Sequence, residues 1–331
     1  MAAEKKTIRA LGLCSGGLDS ILSALVLRVQ GIDVHWVTFE TPFFSSAKAR
    51  KASAHTGIPL MVRNITSVYI QMMRSPSVII GKNMNPCMDC HCLMFRLAGE
   101  IMTEQGFDFL FSGEVLGQRP MSQTRTSMRY VEKHSGYSGS IVRPLSAQRL
   151  PETFPERDGL VDRERLLGLT GRSRKPQLQL AKKFGVTDFP APAGGCLLTD
   201  KIFSRRLKDL FDHQATCPEK DLDLLKFGRH MRLDSKTKIV VGRTQQDNEL
   251  INRCIDPQTD KVLKVVDFPG PLVVIPGGGS EPMALLAAGI CAGYSNAPKH
   301  TPVAVNVHAG GHCRQVTVLG IPPAENKKFL I

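Results

Sequence analysis

One stretch constrains this chain more than any other. An apolar run at residues 8–13 leads into Cys14-Ser15-Gly16-Gly17-Leu18-Asp19-Ser20, and a second apolar run follows at residues 21–27. The first run reads as a buried strand and the second as a helix that ends near Gly31. A strand that turns through two glycines into a helix offers unpaired backbone N–H groups, backed by the helix dipole, to an anion. Gly16 and Gly17 permit close approach of the backbone, and the hydroxyls of Ser15 and Ser20 add donors. A Walker loop is excluded, because no Lys followed by Ser or Thr lies here.

The first part of the chain continues in the same rhythm. Residues 34–39, 60–65, 107–111 and 141–145 read as further strands, and residues 45–56 as a helix closed by Gly57. Residues 112–140 read as a polar loop. Strand–helix alternation predicts an α/β domain with a parallel sheet covered on both faces, and ligands beyond the carboxyl ends of its strands. Composition shifts after Phe211. Residues 226–233, 238–241, 261–267, 272–275, 303–307 and 315–319 read as strands, with helices at 245–254 and 283–294. That is an α+β pattern. The expected division is a parallel-sheet domain at residues 1–215 and a smaller α+β domain at residues 216–331.

The formal net charge of +13 favours a polyanionic partner through counterion release. With aromatics at 6%, phosphate contacts and shape are a better basis for nucleic-acid binding than base stacking. The beginning of the chain is basic and then apolar, as in a signal peptide, but Asp19 and the two glycines interrupt the run. No membrane span is expected, and the expected location is the cytoplasm. Nine cysteines, an odd number, argue against a disulfide framework there.

Three of the cysteines stand in settings suited to chemistry. Asn85-Pro86-Cys87-Met88-Asp89-Cys90-His91-Cys92 holds a C-x-x-C pair, a spacing found in zinc sites, redox pairs and iron–sulfur sites. Cys196 follows Pro192-Ala193-Gly194-Gly195, where glycines allow a tight turn and an exposed thiol. Three thiolates can hold a cubane cluster and leave one iron open. Cys14, Cys217, Cys254, Cys291 and Cys313 lack mutual spacing and read as packing residues. His308 and His312 flank a Gly-Gly turn and read as a loop.

These blocks resemble known families. S-G-G-L-D-S resembles the pyrophosphate loop of the N-type ATP pyrophosphatases. Residues 85–90 resemble the N-P-x-x-x-C segment of the MnmA-type tRNA 2-thiouridine synthases. Gly113-Glu114-Val115-Leu116-Gly117-Gln118, then Ser122-Gln123-Thr124 and Arg143-Pro144-Leu145, are similar to successive blocks of the 4-thiouridine synthase family ThiI. The resemblance implies an adenine nucleotide alpha hydrolase-like fold and tRNA sulfurtransferase activity. ATP and Mg²⁺ would adenylate a uridine carbonyl oxygen, and sulfur would displace AMP. Ser15, Gly16, Gly17, Leu18, Asp19 and Ser20 map onto the pyrophosphate loop, Phe39 onto the adenine side, and Gly113 and Gln118 onto the nucleotide-side loop. Asp19, Cys90 and Cys196 are the implied catalytic residues. Either Cys90 carries a persulfide that Cys196 resolves, or Cys87, Cys90 and Cys196 bind a [4Fe-4S] cluster; Cys87 favours the cluster. The implied partners are tRNA and a sulfur donor, either sulfide or a cysteine desulfurase.

The second part departs from both families and resembles the NFACT-type RNA-binding domain. The matching stretches are Lys238-Ile239-Val240-Val241-Gly242-Arg243 with Asn248, Pro269-Gly270-Pro271-Leu272, and Tyr294-Ser295. Arg229, His230, Arg232 and Arg243 are candidate phosphate contacts. Packing or formation of a homodimer is the alternative role for this part. The glycines at 277–279 before a helix are a possible phosphate loop. Two other functions fit the same sequence: an RNA-binding protein with an idle ATP fold, and adenylating sulfur transfer to a small molecule or carrier protein.

Overall fold

The computed structural model describes residues 7–78, 83–191 and 196–331. It divides into two compact units, residues 1–196 and 197–331. The division lies upstream of the compositional boundary near residue 215. The helix α8 (Lys201–His213) falls in the second unit, where its buried Arg206 donates to the carbonyls of Leu225 (2.8 Å) and Gly228 (2.9 Å).

The first unit is a five-stranded parallel sheet in the order β3-β2-β1-β4-β5. Its strands are β1 (Arg9–Leu13), β2 (Asp33–Glu40), β3 (Leu60–Asn64), β4 (Phe109–Ser112) and β5 (Ile141–Val142). Its helices are α1 (Leu18–Arg28), α2 (Ala47–Thr56), α3 (Thr66–Arg74), α4 (Cys87–Gln105), α5 (Arg125–Ser135), α6 (Phe154–Arg157) and α7 (Lys175–Lys183). Alternate residues of each strand face opposite layers. Ala10, Val34, Trp36, Phe109 and Phe111 pack with Leu18, Ile21 and Leu22 of α1, Ala49 and Ala52 of α2 and Ala181 of α7. Burying each large side chain among these contributes about 1.5–3 kcal/mol. Gly12 is required within β1: a Cβ there would sit 2.2 Å from the Phe111 ring.

The strand order reverses between β1 and β4. The crevice beyond their carboxyl ends is where ligands bind in open sheets of this kind. The glycine loop follows β1 and Gly113 follows β4, so both open into it.

Residues 112–140 are not a loop throughout, because α5 occupies residues 125–135. Met128 and Val131, three residues apart, bury one face of that helix, and Thr124 caps it by accepting the Ser127 N–H at 3.0 Å. The C-x-x-C pair lies in the first turn of the 19-residue α4. Asp89, between the two cysteines, is buried and accepts the backbone N–H groups of Ser77 (2.8 Å) and Val78 (3.1 Å), which pins the preceding segment to the helix.

The second unit is a six-stranded antiparallel sheet in the order β11-β10-β8-β9-β7-β6. Its strands are β6 (Arg229–Arg232), β7 (Lys238–Val241), β8 (Lys261–Val265), β9 (Val273–Ile275), β10 (Val303–Ala309) and β11 (His312–Val318). With α8, its helices are α9 (Glu219–Leu224), α10 (Gln245–Asn252) and α11 (Glu281–Gly293). Leu263, Val273, Val305 and Val307 meet Ala284, Ala287, Ala288 and Cys291 of α11 on one face. Val240, Leu272 and Val274 meet Leu224 and Ile251 on the other. Among the described residues no helix is long and apolar enough to cross a membrane.

Candidate active site

The glycine loop folds as the turn chemistry requires. Gly16 takes φ +70 and lies against α2, where a Cβ would stand 2.2 Å from the Lys48 carbonyl carbon. Gly17 is the N-cap of α1, with extended backbone and no side-chain cap. The first N–H groups of α1 are thereby left for a ligand. Ser15 is exposed, and its Oγ accepts the Gly17 N–H at 3.3 Å. Ser20 is buried, and its hydroxyl donates to the Gly17 carbonyl at 2.8 Å. The Ser20 hydroxyl thus braces the turn. Leu18 is buried in the core, so only its backbone can face a ligand.

The loop after β4, which carries Gly113 and Gln118, meets the glycine loop directly. Gly113 has no room for a side chain: a Cβ would be 2.5 Å from the Asp19 carbonyl carbon and the Ser20 nitrogen. Gln118 donates from Nε2 to Asp19 Oδ2 at 2.7 Å, and Gln177 Nε2 donates to Gln118 Oε1 at 3.0 Å. Asp19 Oδ1 and Gln177 Oε1 are buried without a partner. A buried carboxylate oxygen left unsatisfied costs free energy, and it is the type of ligand that Mg²⁺ takes. Asp19 therefore fits the hard cation expected with a triphosphate.

Phe39 lies near the carboxyl end of β2, two residues after Val37, whose carbonyl accepts the Cys14 N–H at 2.9 Å. It is buried on the opposite sheet face from Trp36 and, with Arg63, Val68, Leu97 and Ile101, lines a cavity of about 270 Å³ against α3 and α4.

Cys87, Cys90 and Cys196 are neighbours. Burial of its sulfur pushes the Cys90 thiol up to about 12; a hydrogen bond with the Tyr69 hydroxyl opposes this, and the nearby thiols of Cys196, Cys87 and Cys92 add to it. Tyr69 itself is driven well above its ordinary value, first by burial and then by Cys90 and Cys196. Its ring is held by Phe43 (5.7 Å between centroids) and Phe44 (5.3 Å). Cys196 Sγ lies 3.9 Å from the Phe43 carbonyl oxygen, and Asn85 Nδ2 lies 3.4 Å from Cys87 Sγ. Residues 192–195, including the glycines before Cys196, lie outside the described residues. Phe43 lies in the segment joining β2 to α2 and Lys48 in the first turn of α2, so Cys196 and the glycine loop both contact the chain that leaves the carboxyl end of β2. Three soft donors around one hydroxyl have the chemistry of an iron–sulfur or persulfide centre. Among the described residues, however, no group of three His, Cys, Asp or Glu closes on a metal.

Sequence reasoning missed the charge network between these two centres. Glu114, 7% exposed, accepts from Arg143 Nε at 2.9 Å and from Ser112 Oγ at 3.2 Å, and pairs with His91 Nδ1 at 3.1 Å. Arg143 also pairs with Glu132 of α5. Burial alone would raise the Glu114 carboxyl, but Arg143 and then His91 hold it down to about 2. Both Glu114 and Arg143 stand in recognised sequence blocks. Tyr69 carries no such signal.

In the second unit, most of the expected phosphate contacts are already engaged. His230 is 1% exposed, bonds the Phe227 carbonyl at 2.9 Å, and is pushed well below its usual value by burial, so it is a neutral core residue. Arg232 is held by both Asp209 oxygens (3.0 and 2.6 Å), and Arg243 by Asp247 (2.6 Å). Arg229 stacks on the Tyr294 ring at 4.9 Å. The glycines at 277–279 form a loop braced by Asp260, whose Oδ1 accepts the Gly277 N–H at 2.9 Å. Asn248 ties together the matched stretches: its Oδ1 accepts the Leu272 N–H at 2.9 Å and would collide at 1.9 Å with a Cβ on Gly242. Cys313 is exposed rather than packed, 3.7 Å from His308 Nε2 across the β10–β11 hairpin.

Comparison with known proteins divides the chain similarly. Residues 6–149 match the family model described as thiamine biosynthesis protein (ThiI), and residues 228–330 match the NFACT protein RNA binding domain. A tRNA-specific 2-thiouridylase MnmA of Desulforudis audaxviator is 31% identical over 107 residues, covering 30% of this chain and 30% of that protein. A tRNA sulfurtransferase of Desulfurococcus amylolyticus is 29% identical over 142 residues, covering 41% and 29%. The chain thus spans about 30% of the length of these curated relatives. A 4-thiouridine synthetase solved with RNA and ATP aligns over 54% of this chain and 41% of its own, at 22% identity and a TM-score of 0.37. The ThiI match thus takes in the glycine loop, the C-x-x-C helix and the loop after β4, and the match to the NFACT RNA-binding domain lies wholly in the second unit.

Proposed function

We propose that this chain is an ATP-dependent tRNA sulfurtransferase. The observation that carries the reading is the shared position of the glycine loop and the three thiols at one end of the parallel sheet. In the proposed reaction a uridine carbonyl oxygen attacks the α-phosphate of ATP and pyrophosphate leaves. A sulfur nucleophile then attacks the activated carbon, and AMP departs with the original oxygen. The free N–H groups of α1 stabilise charge on the leaving pyrophosphate. Asp19, steadied by Gln118, offers its second oxygen to Mg²⁺. Gly113 keeps the nucleotide-side loop against the start of α1.

Cys87, Cys90 and Cys196 would hold a [4Fe-4S] cluster, with Tyr69 donating its hydroxyl hydrogen bond to the Cys90 sulfur. Such a cluster supplies an iron without a protein ligand, open to a hydrosulfide or to sulfur from a desulfurase. Crowding of three half-buried thiols around the Tyr69 hydroxyl favours this version over a persulfide on Cys90 alone. The tRNA would be held in part by residues 228–330.

The test is anaerobic incubation of the purified protein with unmodified tRNA, Mg-ATP and sulfide, followed by mass spectrometry of the nucleosides. Thiolated uridine with AMP and pyrophosphate is the expected result. Cys90→Ala and Cys196→Ala should each abolish thiolation, and Asp19→Asn should abolish pyrophosphate release. Unchanged nucleosides in a strain lacking the gene would defeat the reading. Colourless, iron-free but active protein would exclude the cluster and leave the persulfide route.

A further inference from the structure

Helix α10 hides its apolar side chains on one narrow face, where Ile251 packs with Leu224, Val240 and Val274. Beside that face Gln245, Asn248, Glu249 and Asn252 stand at i, i+3, i+4 and i+7, a single stripe of the helix. These four form one wall of a cavity of about 400 Å³ inside the second unit. Lys264 of β8, Phe268 and the loop at residues 270–272 form the other wall. The cavity has the size of a small-molecule site. Its polar chemistry is that of three side-chain amides, one carboxylate and one ammonium group, set beside an aromatic ring.

The frame of the cavity is preformed. Asn248 Oδ1 accepts the Leu272 N–H at 2.9 Å, which ties α10 to the 270–272 loop. Gln245 Nε2 donates to Glu249 Oε1 at 3.1 Å. Among the described residues, nothing engages the Asn252 amide or the Lys264 ammonium group. Asp267 takes φ +65 as the chain leaves β8, a left-handed turn that Asp tolerates better than most residues, and Phe268 follows it into the cavity wall. Lys264 also heads a row across the sheet: Asn306 stands opposite it on β10, and Gln315 opposite Asn306 on β11. The row faces away from α11, because the alternate residues Leu263, Val305 and Val307 pack on that helix. It contains no carboxylate, and Lys264 and Gln315 at its two ends are exposed.

We infer that this cavity receives one unpaired nucleobase of the bound RNA, stacked on Phe268 and read along its Watson–Crick edge by Glu249 and Asn252, with Lys264 on the adjoining phosphate. The inference rests on the proposed hold of residues 228–330 on tRNA and deepens it, since the domain match assigns no base to any pocket. Unpaired bases are recognised by an aromatic face together with hydrogen-bonding groups at the base edge. The two walls supply those parts at once. A carboxylate only accepts, so Glu249 selects bases that carry an exocyclic amino group, namely adenine, cytosine or guanine. Uracil offers a single N–H between two carbonyl oxygens, which a carboxylate repels. The neighbouring polar row gives the flanking nucleotides a path free of acidic side chains.

The test is fluorescence anisotropy with the full chain and labelled single-stranded oligoribonucleotides, one each of adenine, cytosine and uracil, alongside unmodified tRNA. Wild type should bind the adenine or the cytosine oligomer roughly five- to a hundredfold tighter than the uracil oligomer, the range for a good base-edge contact. Phe268→Ala should weaken the preferred oligomer by a similar factor, the range for a stacked base. Glu249→Gln should remove most of the preference over uracil, because an amide donates as well as accepts. Lys264→Gln should weaken all three oligomers alike, as loss of a phosphate contact does. Glu249 and Lys264 are exposed, so their variants serve if Phe268→Ala folds poorly. Equal wild-type affinity for the three oligomers would overturn the inference, and so would an unchanged preference in Glu249→Gln. Wild-type protein that binds neither tRNA nor any oligomer would overturn the tRNA reading as well. A wild type that binds tRNA but shows no base preference overturns the pocket alone.

Discussion

At the residue scale the chemistry depends on places where nothing larger than hydrogen fits. Gly113→Ala forces a methyl group into the Asp19–Ser20 backbone at 2.5 Å. The start of α1 must then move, and pyrophosphate release should fall at least roughly tenfold, the cost of about 1.4 kcal/mol in the transition state. A steady-state pyrophosphate assay checks this; unchanged turnover would mean that the two loops need not touch. Glu114 gives a prediction with a pH signature. Its carboxyl is held at about 2, below the ordinary 4.5, so its ion pairs add stability that is full above pH 4.5 and is lost as pH falls toward 2. Glu114→Gln should lower stability at pH 7 by about 3 kcal/mol, the scale of a broken buried pair. The gap to wild type should close between pH 4.5 and 2 in urea unfolding followed by Trp36 fluorescence; a constant gap would show that charge is not the cause. The sequence held both Glu114 and Arg143 in recognisable blocks, but their pairing spans 29 positions, and no local pattern encodes that. Tyr69 was invisible for the same reason, since its partner thiols lie on distant segments.

At the element scale, what could be read depended on how much apolar surface each element buries. Apolar residues mark each strand of the first sheet, and the structure has a strand at each of the five stretches read from the sequence. α5 was hidden because only Met128, Val131 and the small Ser135 are buried, while the rest of its surface is polar. α4 was hidden differently: its first turn reads as a ligand motif, and the helix that carries it extends to Gln105. A short exposed helix of this kind relies on its cap. Thr124→Ala removes the acceptor for the Ser127 N–H and should cost about 1 kcal/mol in urea unfolding, while Thr124→Ser should cost far less. Equal losses would assign the effect to the methyl group. Because Glu132 on α5 reaches Arg143, weakening this cap should also lower the temperature at which the Glu114 network opens.

At the scale of the whole molecule, the net charge of +13 is unevenly shared. Residues 197–331, which contain the RNA-binding match, hold 18 Lys and Arg against 14 Asp and Glu, leaving 25 against 16 in residues 1–196. Several basic residues of the second unit are also tied to acids, among them Arg232 and Arg243. Composition pointed to a polyanion but gave no location for the charge, since a net charge has no position. Under the proposed function, this distribution assigns long-range attraction of tRNA chiefly to the first unit, with the second contributing shape and short-range contacts. Filter binding of tRNA to the full chain should therefore weaken by at least roughly a hundredfold between 50 and 200 mM salt. Replacing exposed Lys182 and Lys183 at the end of α7 with Gln should flatten that salt dependence more than the same change at exposed Lys327 and Lys328. If the carboxy-terminal pair has the larger effect, the charge that captures RNA lies in the second unit, and the division of labour argued from the sequence counts is reversed.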